Sequence, residues 1–160
     1  MKTATADAPR RVVVDASVAA KWLLPEHGSD AALALLREPG ISLHAPELWP
    51  AELLNVLWKR KRRGEVTGAE AVEHAGRVAH MPVRIHGHAP LLSAALLLAL
   101  RHDVTVYDAL YVALARSIGG TVVTADTLLL RAGTGETWPV EPLEPPGPAA
   151  TGERITPARA

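Results

Sequence analysis

The chain has 160 residues, of which 48% are hydrophobic, and its formal net charge at pH 7 is zero. This length predicts one domain, and the core must be aliphatic because the sequence has no Phe and only 4% aromatic residues. Zero net charge excludes a general electrostatic attraction to polyanions, and the absence of Cys excludes disulfides and thiolate metal sites.

Short apolar runs alternate with helical patterns along the chain. Three consecutive Val residues, followed by Asp15, predict a strand that is buried on both faces. Ser17 is expected to cap the helix that comes next, and Pro25 ends it. Further strands are predicted at 41–44, 83–85 and 121–124, and further helices around 31–36, 51–63, 67–79, 90–100 and 105–118. This alternation predicts an α/β fold, a doubly wound sandwich with a mainly parallel sheet.

Composition divides the chain into three predicted segments. Residues 1–9 are expected to form a flexible leader, 10–140 a folded domain, and 141–160 a proline-rich, disordered tail. The longest charge-free apolar stretch, 89–100, is shorter than the ~20 residues that a membrane span needs, and we interpret it as a buried core helix. No secretory signal is recognisable, so we expect a cytoplasmic protein that does not bind membranes.

Four acidic residues lie where predicted strands end or helices begin: Asp15, Glu52, Asp108 and Asp126. Each of them, taken alone, is well explained as a helix cap or as a favourable acid in a first turn. Together they indicate more, because the helices that follow the strands of a doubly wound sheet begin along one edge of it. We therefore expect the four carboxylates to converge in one crevice.

Such a cluster of carboxylates needs a positive group to offset the repulsion between its members. An all-oxygen ligand set suits Mg²⁺ or Mn²⁺ better than Zn²⁺. The seven His residues, among them His86 and His88, lack the spacing of a zinc site. Divalent ions held by carboxylates serve phosphoryl chemistry, in which they activate water and offset charge on phosphate oxygens.

The predicted helix that carries Glu52 ends in five consecutive cations, residues 59–63. Helical spacing places Glu52 on one polar stripe of this helix, together with Asn55, Lys59 and Arg62 or Arg63. Two explanations fit the cations. They complement the helix dipole on a solvated face, or they contact the phosphate backbone of a substrate.

Four motifs resemble, in the same order, those of PIN-domain proteins, particularly the VapC-type toxins of toxin–antitoxin pairs. They are VVDASVAAKW at 13–22, APEL with ELLNVL at 45–57, TVYDALYVALA at 105–115 and VVTAD at 122–126. The resemblance covers about residues 11–131. It implies a PIN-like three-layer α/β/α sandwich with a mainly parallel central sheet. It also implies a Mg²⁺- or Mn²⁺-dependent endoribonuclease that a cognate VapB-type antitoxin neutralises.

The resemblance also assigns residues by position. It implies a catalytic, metal-binding quartet made of Asp15, Glu52, Asp108 and Asp126. Supporting positions of the family are matched by Ser17, Asn55 and Thr124. With RNA as the substrate, the candidates for RNA contacts are Lys59, Arg62 and Arg63. We further expect a homodimer, formed through exposed apolar helices.

Two other functions stay open at this point. One is a non-catalytic acidic module that binds a partner and coordinates metal only incidentally. The other is a phosphatase-type enzyme with Asp15 as nucleophile, which is less favoured because Ser17 stands where such enzymes carry a second acid. Tyr107 and Tyr111 are predicted to lie in the core or at a subunit contact rather than to stack on bases.

Overall fold

The computed structural model describes residues 8–133 and 138–143, which form five strands and seven helices. The strands are β1 Arg10–Val14, β2 Ile41–Pro46, β3 Val83–His86, β4 Thr121–Thr124 and β5 Val140–Pro142. The helices are α1 Ala16–Leu23, α2 Ser29–Arg37, α3 Trp49–Arg62, α4 Gly68–Val78, α5 Leu92–His102, α6 Val106–Ile118 and α7 Thr127–Arg131.

The strands form one sheet in the order β3-β2-β1-β4-β5, and every pair in it is parallel. The predicted PIN-like α/β/α fold is confirmed. The chain moves outward from β1 to β2 and β3, then returns to place β4 on the other side of β1. The strand order therefore reverses between β1 and β4, and open α/β sheets bind ligands beyond the carboxyl ends of the strands at such a switch point.

Helices cover both faces of the central strand. Val12, Val13 and Val14 point alternately to opposite faces and are all fully buried. On the helical layers, α6 contacts β1, β2 and β4, and α5 packs on α6. α1 contacts β4 and packs beside α2 and α3, while α4 packs on α3. None of the helices in the described residues combines the length and the apolar character that a bilayer crossing requires.

Helix α5 is not the buried core helix that the sequence predicts. Its buried side is narrow and consists of Ala95, Leu98 and Ala99. The opposite side is apolar but exposed, with Leu92, Leu96, Leu97 and Leu100. The prediction failed because an all-round apolar pattern carries no information about which side of a helix has a neighbour.

Strand β5 extends the sheet into the segment predicted as a tail. Val140–Pro142 pairs with β4, and Leu143 N–H donates to the Thr124 carbonyl at 2.9 Å. The domain boundary predicted at residue 140 thus falls inside a strand. This strand has only three residues, which is too few to produce a recognisable sequence pattern. The remainder of the predicted tail, 144–160, and residues 1–7 of the predicted leader lie outside the described residues.

A buried polar chain crosses the β2–β3 pair. His44 is only 4% exposed, and its Nδ1 lies 2.9 Å from Nε2 of His86. On its other side, His44 Nε2 lies 3.0 Å from Oγ of Ser42. Burial lowers the pKa of both imidazoles, and the neighbouring His86 and Arg84 lower that of His44 further.

We predict that acid destabilises the fold through His44. Because the folded-state pKa of His44 is depressed, the unfolded chain binds this proton more readily, and its contribution to stability is lost as the pH falls below about 6.5. His44→Gln removes the titration, so its free energy of unfolding should fall less than that of the wild type between pH 7 and pH 5. Urea unfolding at both pH values measures this. Exposed His27, changed to Gln, is the control, and an equal acid sensitivity of His44→Gln and the wild type would contradict the prediction.

Candidate active site

Asp15 follows β1 directly, at the switch point, and two hydroxyl groups hold its carboxylate. Ser17 Oγ and Thr124 Oγ1 both donate to Asp15 Oδ2, at 2.5 and 2.6 Å. Ser17 Oγ in turn accepts a hydrogen bond from the backbone N–H of Ala125 at 3.1 Å. The predicted role of Ser17 as helix cap is wrong, because α1 begins after Asp15, which is its N-cap residue. Ser17 lies in the first turn instead and orients the carboxylate.

The hydroxyl of Thr124 also connects Asp15 to Asp126. While Oγ1 donates to Asp15, it accepts a hydrogen bond from the backbone N–H of Asp126 at 2.9 Å. Asp126 Oδ1 accepts from Leu128 N–H at 2.7 Å and so caps α7, as its position in the sequence predicts. One small side chain at the end of β4 therefore ties two of the predicted site acids to the same edge of the sheet.

Asp108 lies in the first turn of α6 and is held by the residue that caps this helix. Thr105 Oγ1 accepts from Asp108 N–H at 3.1 Å and donates to Asp108 Oδ2 at 2.6 Å. The cap that the sequence predicts is therefore present at Thr105. It leaves Oδ1 of Asp108 without a hydrogen bond from any described residue, so this oxygen can accept a ligand.

Glu52 lies in the first turn of α3 and accepts a hydrogen bond from Oη of Tyr111. Tyr111 is 1% exposed and lies on α6, one turn after Asp108. Burial raises the pKa of Tyr111, and the nearby Asp15 and Glu52 raise it further, so the phenol stays protonated and acts as a donor. The sequence predicts Tyr107 and Tyr111 in the core or at a subunit contact. Tyr111 lies in the core, whereas Tyr107 is 65% exposed in the single chain.

Three of the four acids act on one another electrostatically. Burial raises the pKa of Asp15, the Ser17 and Thr124 hydroxyls lower it, and Asp108 raises it again. Burial likewise raises the pKa of Glu52, which Tyr111 lowers and which Asp15 and Asp108 raise further. The fold thus holds carboxylates from β1, α3 and α6 near each other at a cost in free energy, which a bound cation would offset.

The donor set fits a hard divalent cation in chemistry, because it consists only of carboxylate oxygens and two hydroxyls. As the side chains stand, however, no group of three or more His, Asp or Glu in the described residues is arranged to hold a metal ion. Three of the His residues have other partners, since His44 and His86 bond each other and His88 Nε2 accepts from Leu48 N–H at 2.9 Å.

The predicted polar stripe runs along the exposed side of α3 away from Glu52. Asn55 is exposed one turn after Glu52, and Lys59, Arg62 and Arg63 follow toward the end of the helix. Arg60, from the same cationic run, is instead held in ion pairs with Glu26 and Glu65. The structure therefore places the three candidate cations on the helix that carries a site acid, and it separates Arg60 from them.

The chain is similar in sequence to known ribonucleases. The family model described as PIN domain matches residues 12–134. Ribonuclease VapC3 of Pyrobaculum aerophilum is 40% identical over 121 residues, which are 74% of this chain and 92% of that protein. Ribonuclease VapC3 of Mycobacterium tuberculosis is 32% identical over 139 residues, which are 87% of this chain and 96% of that protein.

Solved structures show the same fold. The crystal structure of PAE2754 from Pyrobaculum aerophilum has a TM-score of 0.61 and 28% identity, and the match covers 86% of this chain and 88% of that one. VapC20 of Mycobacterium tuberculosis, described as a sarcin-ricin loop cleaving toxin, has a TM-score of 0.59 and 22% identity, with 76% of this chain and 95% of that one covered. At the latter identity the likeness shows the fold alone.

Sequence reasoning missed two residues that hold the acids in place. Tyr111 is predicted only as a core or subunit-contact residue, although it lies three residues after Asp108 and therefore on the same side of α6. Thr105 was assigned only to a helix cap, although its hydroxyl also donates to the Asp108 carboxylate. Helical spacing could have indicated both roles. No pattern in the sequence indicates that Tyr111 reaches across to α3.

We predict that the hydroxyl of Tyr111 stabilises the fold through Glu52. Tyr111→Phe keeps the ring but removes the donor from a half-buried carboxylate, which should lower the free energy of unfolding by about 1.5 kcal/mol. The pKa of Glu52 should rise further for the same reason. Urea unfolding at neutral pH and carboxyl titration by NMR measure these effects. Exposed Tyr107 on the same helix, changed to Phe, is the control, and equal effects of the two variants would contradict the assignment.

Proposed function

The chain belongs to the PIN-domain family and, within it, to the VapC ribonucleases, and we propose that it is a Mg²⁺- or Mn²⁺-dependent endoribonuclease toxin that a cognate VapB-type antitoxin neutralises. Its site of action is the cytoplasm, where its RNA substrate is found. The observation that carries the proposal is the group of mutually repelling carboxylates at the switch point of the sheet.

The proposed metal ligands are the quartet Asp15, Glu52, Asp108 and Asp126. When bound there, a divalent ion would lower the pKa of a coordinated water and offset charge on the scissile phosphate. The chain's own contribution is orientation. Ser17 and Thr124 direct Asp15, and Thr105 directs Asp108. Tyr111 directs Glu52 and, because its phenol stays protonated, adds no further negative charge.

The cations of α3 are proposed to bring RNA to this acidic site. The whole chain has no net charge, so a polyanionic substrate must be attracted by a local group of cations. Lys59, Arg62 and Arg63 lie on the helix that begins beside Glu52, and a phosphate backbone bound along it would lead toward the carboxylates. Asn55 lies between the two and is proposed to support the substrate.

We predict that Asp108→Asn abolishes RNA cleavage without unfolding the protein. Asn keeps the backbone bond to Thr105 and an oxygen that can accept its hydroxyl, but it lacks the negative charge that a divalent ion requires. Cleavage of single-stranded RNA should be lost in Mg²⁺ and in Mn²⁺, with the melting temperature retained. The wild type should lose activity when the metal is chelated and regain it when metal is restored.

The matched control is Asp103→Asn, which changes an exposed acid in the left-handed cap position of α5, where Asn is well tolerated. It should cleave RNA like the wild type. Undiminished cleavage by Asp108→Asn would refute the site assignment. A wild type that coordinates Mn²⁺ but cleaves no RNA would favour a non-catalytic acidic module instead.

A homodimer through α5 is also proposed. The exposed side of α5 presents four Leu side chains in two adjacent rows: Leu92, Leu96, Leu97 and Leu100. Contiguous apolar surface of this kind is uncommon on a monomer and marks a contact with another protein. A second copy of the chain can cover it in an isologous contact, in which the same side of α5 packs on itself.

We predict that Leu97→Glu converts the dimer into a monomer, because the contact would bury an unpaired charge. Leu97 is 69% exposed in the single chain, so the substitution should not disturb the fold. Sedimentation velocity measures the mass. The control is Val72→Glu, at an equally exposed apolar position on α4. A monomeric wild type, or a dimer that Leu97→Glu leaves intact, would refute this interface.

A further inference from the structure

Trp58 is an exposed aromatic residue beside the basic end of α3. It is 53% exposed, and the guanidinium carbon of Arg62 lies 5.0 Å from the centroid of its indole ring. Such a pair gains about 0.5–1 kcal/mol at an exposed site. About half of the Trp58 side chain stays open to water, so packing within the chain does not account for that half.

A shallow cavity of about 240 Å³ adjoins this ring, and its lining consists of Trp58, Lys59, Arg62 and Arg63. Arg63 Nη1 lies 3.6 Å from Glu65 Oε1, whereas Lys59 and Arg62 form no ion pair with any described residue. The neighbouring Arg60 is already neutralised by Glu26 and Glu65. The cavity therefore combines an aromatic face with two cationic side chains, Lys59 and Arg62, that have no anionic partner in the described part of the chain.

The cavity lies close to the acidic site along α3. Trp58 follows Glu52 by six residues, which corresponds to about 9 Å along the helix axis. Helical geometry places Arg62 between the sides of α3 that carry Trp58 and Glu52. A nucleotide bound at Trp58 would therefore be close, along the same RNA strand, to the nucleotide whose phosphate reaches the carboxylates.

We propose that Trp58, Lys59 and Arg62 form a nucleotide subsite for single-stranded RNA. A base would stack on the indole or on the guanidinium plane of Arg62, and the adjoining phosphate would accept hydrogen bonds from Lys59 or Arg63. This inference rests on the proposed function, because it names how the same active site holds its substrate. Stacking recognises any base, so the subsite contributes affinity and register but little sequence preference.

Trp58 also borders an apolar groove between α3 and α4, about 210 Å³ in volume and lined mainly by Leu54, Leu57, Ala71, Val72 and Ala75. A protein partner is the alternative occupant of this surface. We favour RNA because three cations, Lys59, Arg62 and Arg63, line the cavity beside the ring, against Lys61 in the groove, and because their charge complements phosphate. The experiment separates the two occupants through Val72, which belongs to the groove and not to the basic cavity.

The test measures binding without cleavage. In the Asp108→Asn background, a fluorescently labelled single-stranded RNA is titrated at several salt concentrations against the parent, Trp58→Leu, Lys59→Ala and Val72→Ala. Trp58→Leu, which removes the stacking face but keeps an apolar side chain, should weaken binding about 5- to 100-fold and leave the salt dependence unchanged. Lys59→Ala should lower the magnitude of the salt slope by about 0.7, which corresponds to one phosphate contact. Val72→Ala should bind like the parent.

A second arm removes the bases instead of the indole. RNA with abasic nucleotides should bind the parent as weakly as intact RNA binds Trp58→Leu, and Trp58→Leu should not distinguish the two RNAs. Unchanged binding by Trp58→Leu, or equal losses for Trp58→Leu and Val72→Ala, would overturn the proposal. Wild-type protein assayed for cleavage of the same RNA tests the proposed function separately, because the subsite is judged on affinity alone.

Discussion

The placement of one half-buried carboxylate at the ends of two strands is the constraint on which this structure depends. Asp15 lies at the point where the sheet reverses its strand order, and partial burial there raises the pKa of its carboxyl. A buried anion is tolerated only when hydrogen bonds or opposite charges compensate it. Ser17 from α1 and Thr124 from β4 provide two such bonds to one oxygen, so three elements must meet at this position. The carboxylate thereby fixes how α1 and β4 are joined to β1.

The other acids repeat this arrangement with different supports. Asp108 is directed by the hydroxyl that caps its own helix, and Glu52 by a phenol on the opposite helical layer. Each support is a neutral donor, so the fold orients the carboxylates without cancelling their charge. The remaining repulsion costs free energy, which a cation bound at the proposed site would offset. Stability given up at a site in this way is a common feature of functional residues.

The surface outside the site carries two features that the core does not require. The exposed Leu residues lie on α5, which packs on α6, whereas Trp58 and its cations lie toward the end of α3, the helix that carries Glu52. The proposed dimer contact and the proposed nucleotide subsite therefore use different helices. The ion pairs of Glu26 with Lys21 and Arg60 connect the ends of α1 and α3, which keeps the basic end of α3 in place relative to Asp15.

Local sequence was sufficient for the parts of this protein that depend on near neighbours in the chain. Three consecutive Val residues indicate a strand buried on both faces, and the spacing of Thr105 and Asp108 indicates a helix cap; both are present. Tertiary structure alone decided the rest. The Tyr111–Glu52 bond and the Thr124–Asp15 bond join residues 59 and 109 positions apart, and β5 forms only because β4 offers an edge to it. The exposure of one side of α5 could not be predicted for the same reason. An apolar pattern shows that a side chain can be buried, but not whether another element lies against it.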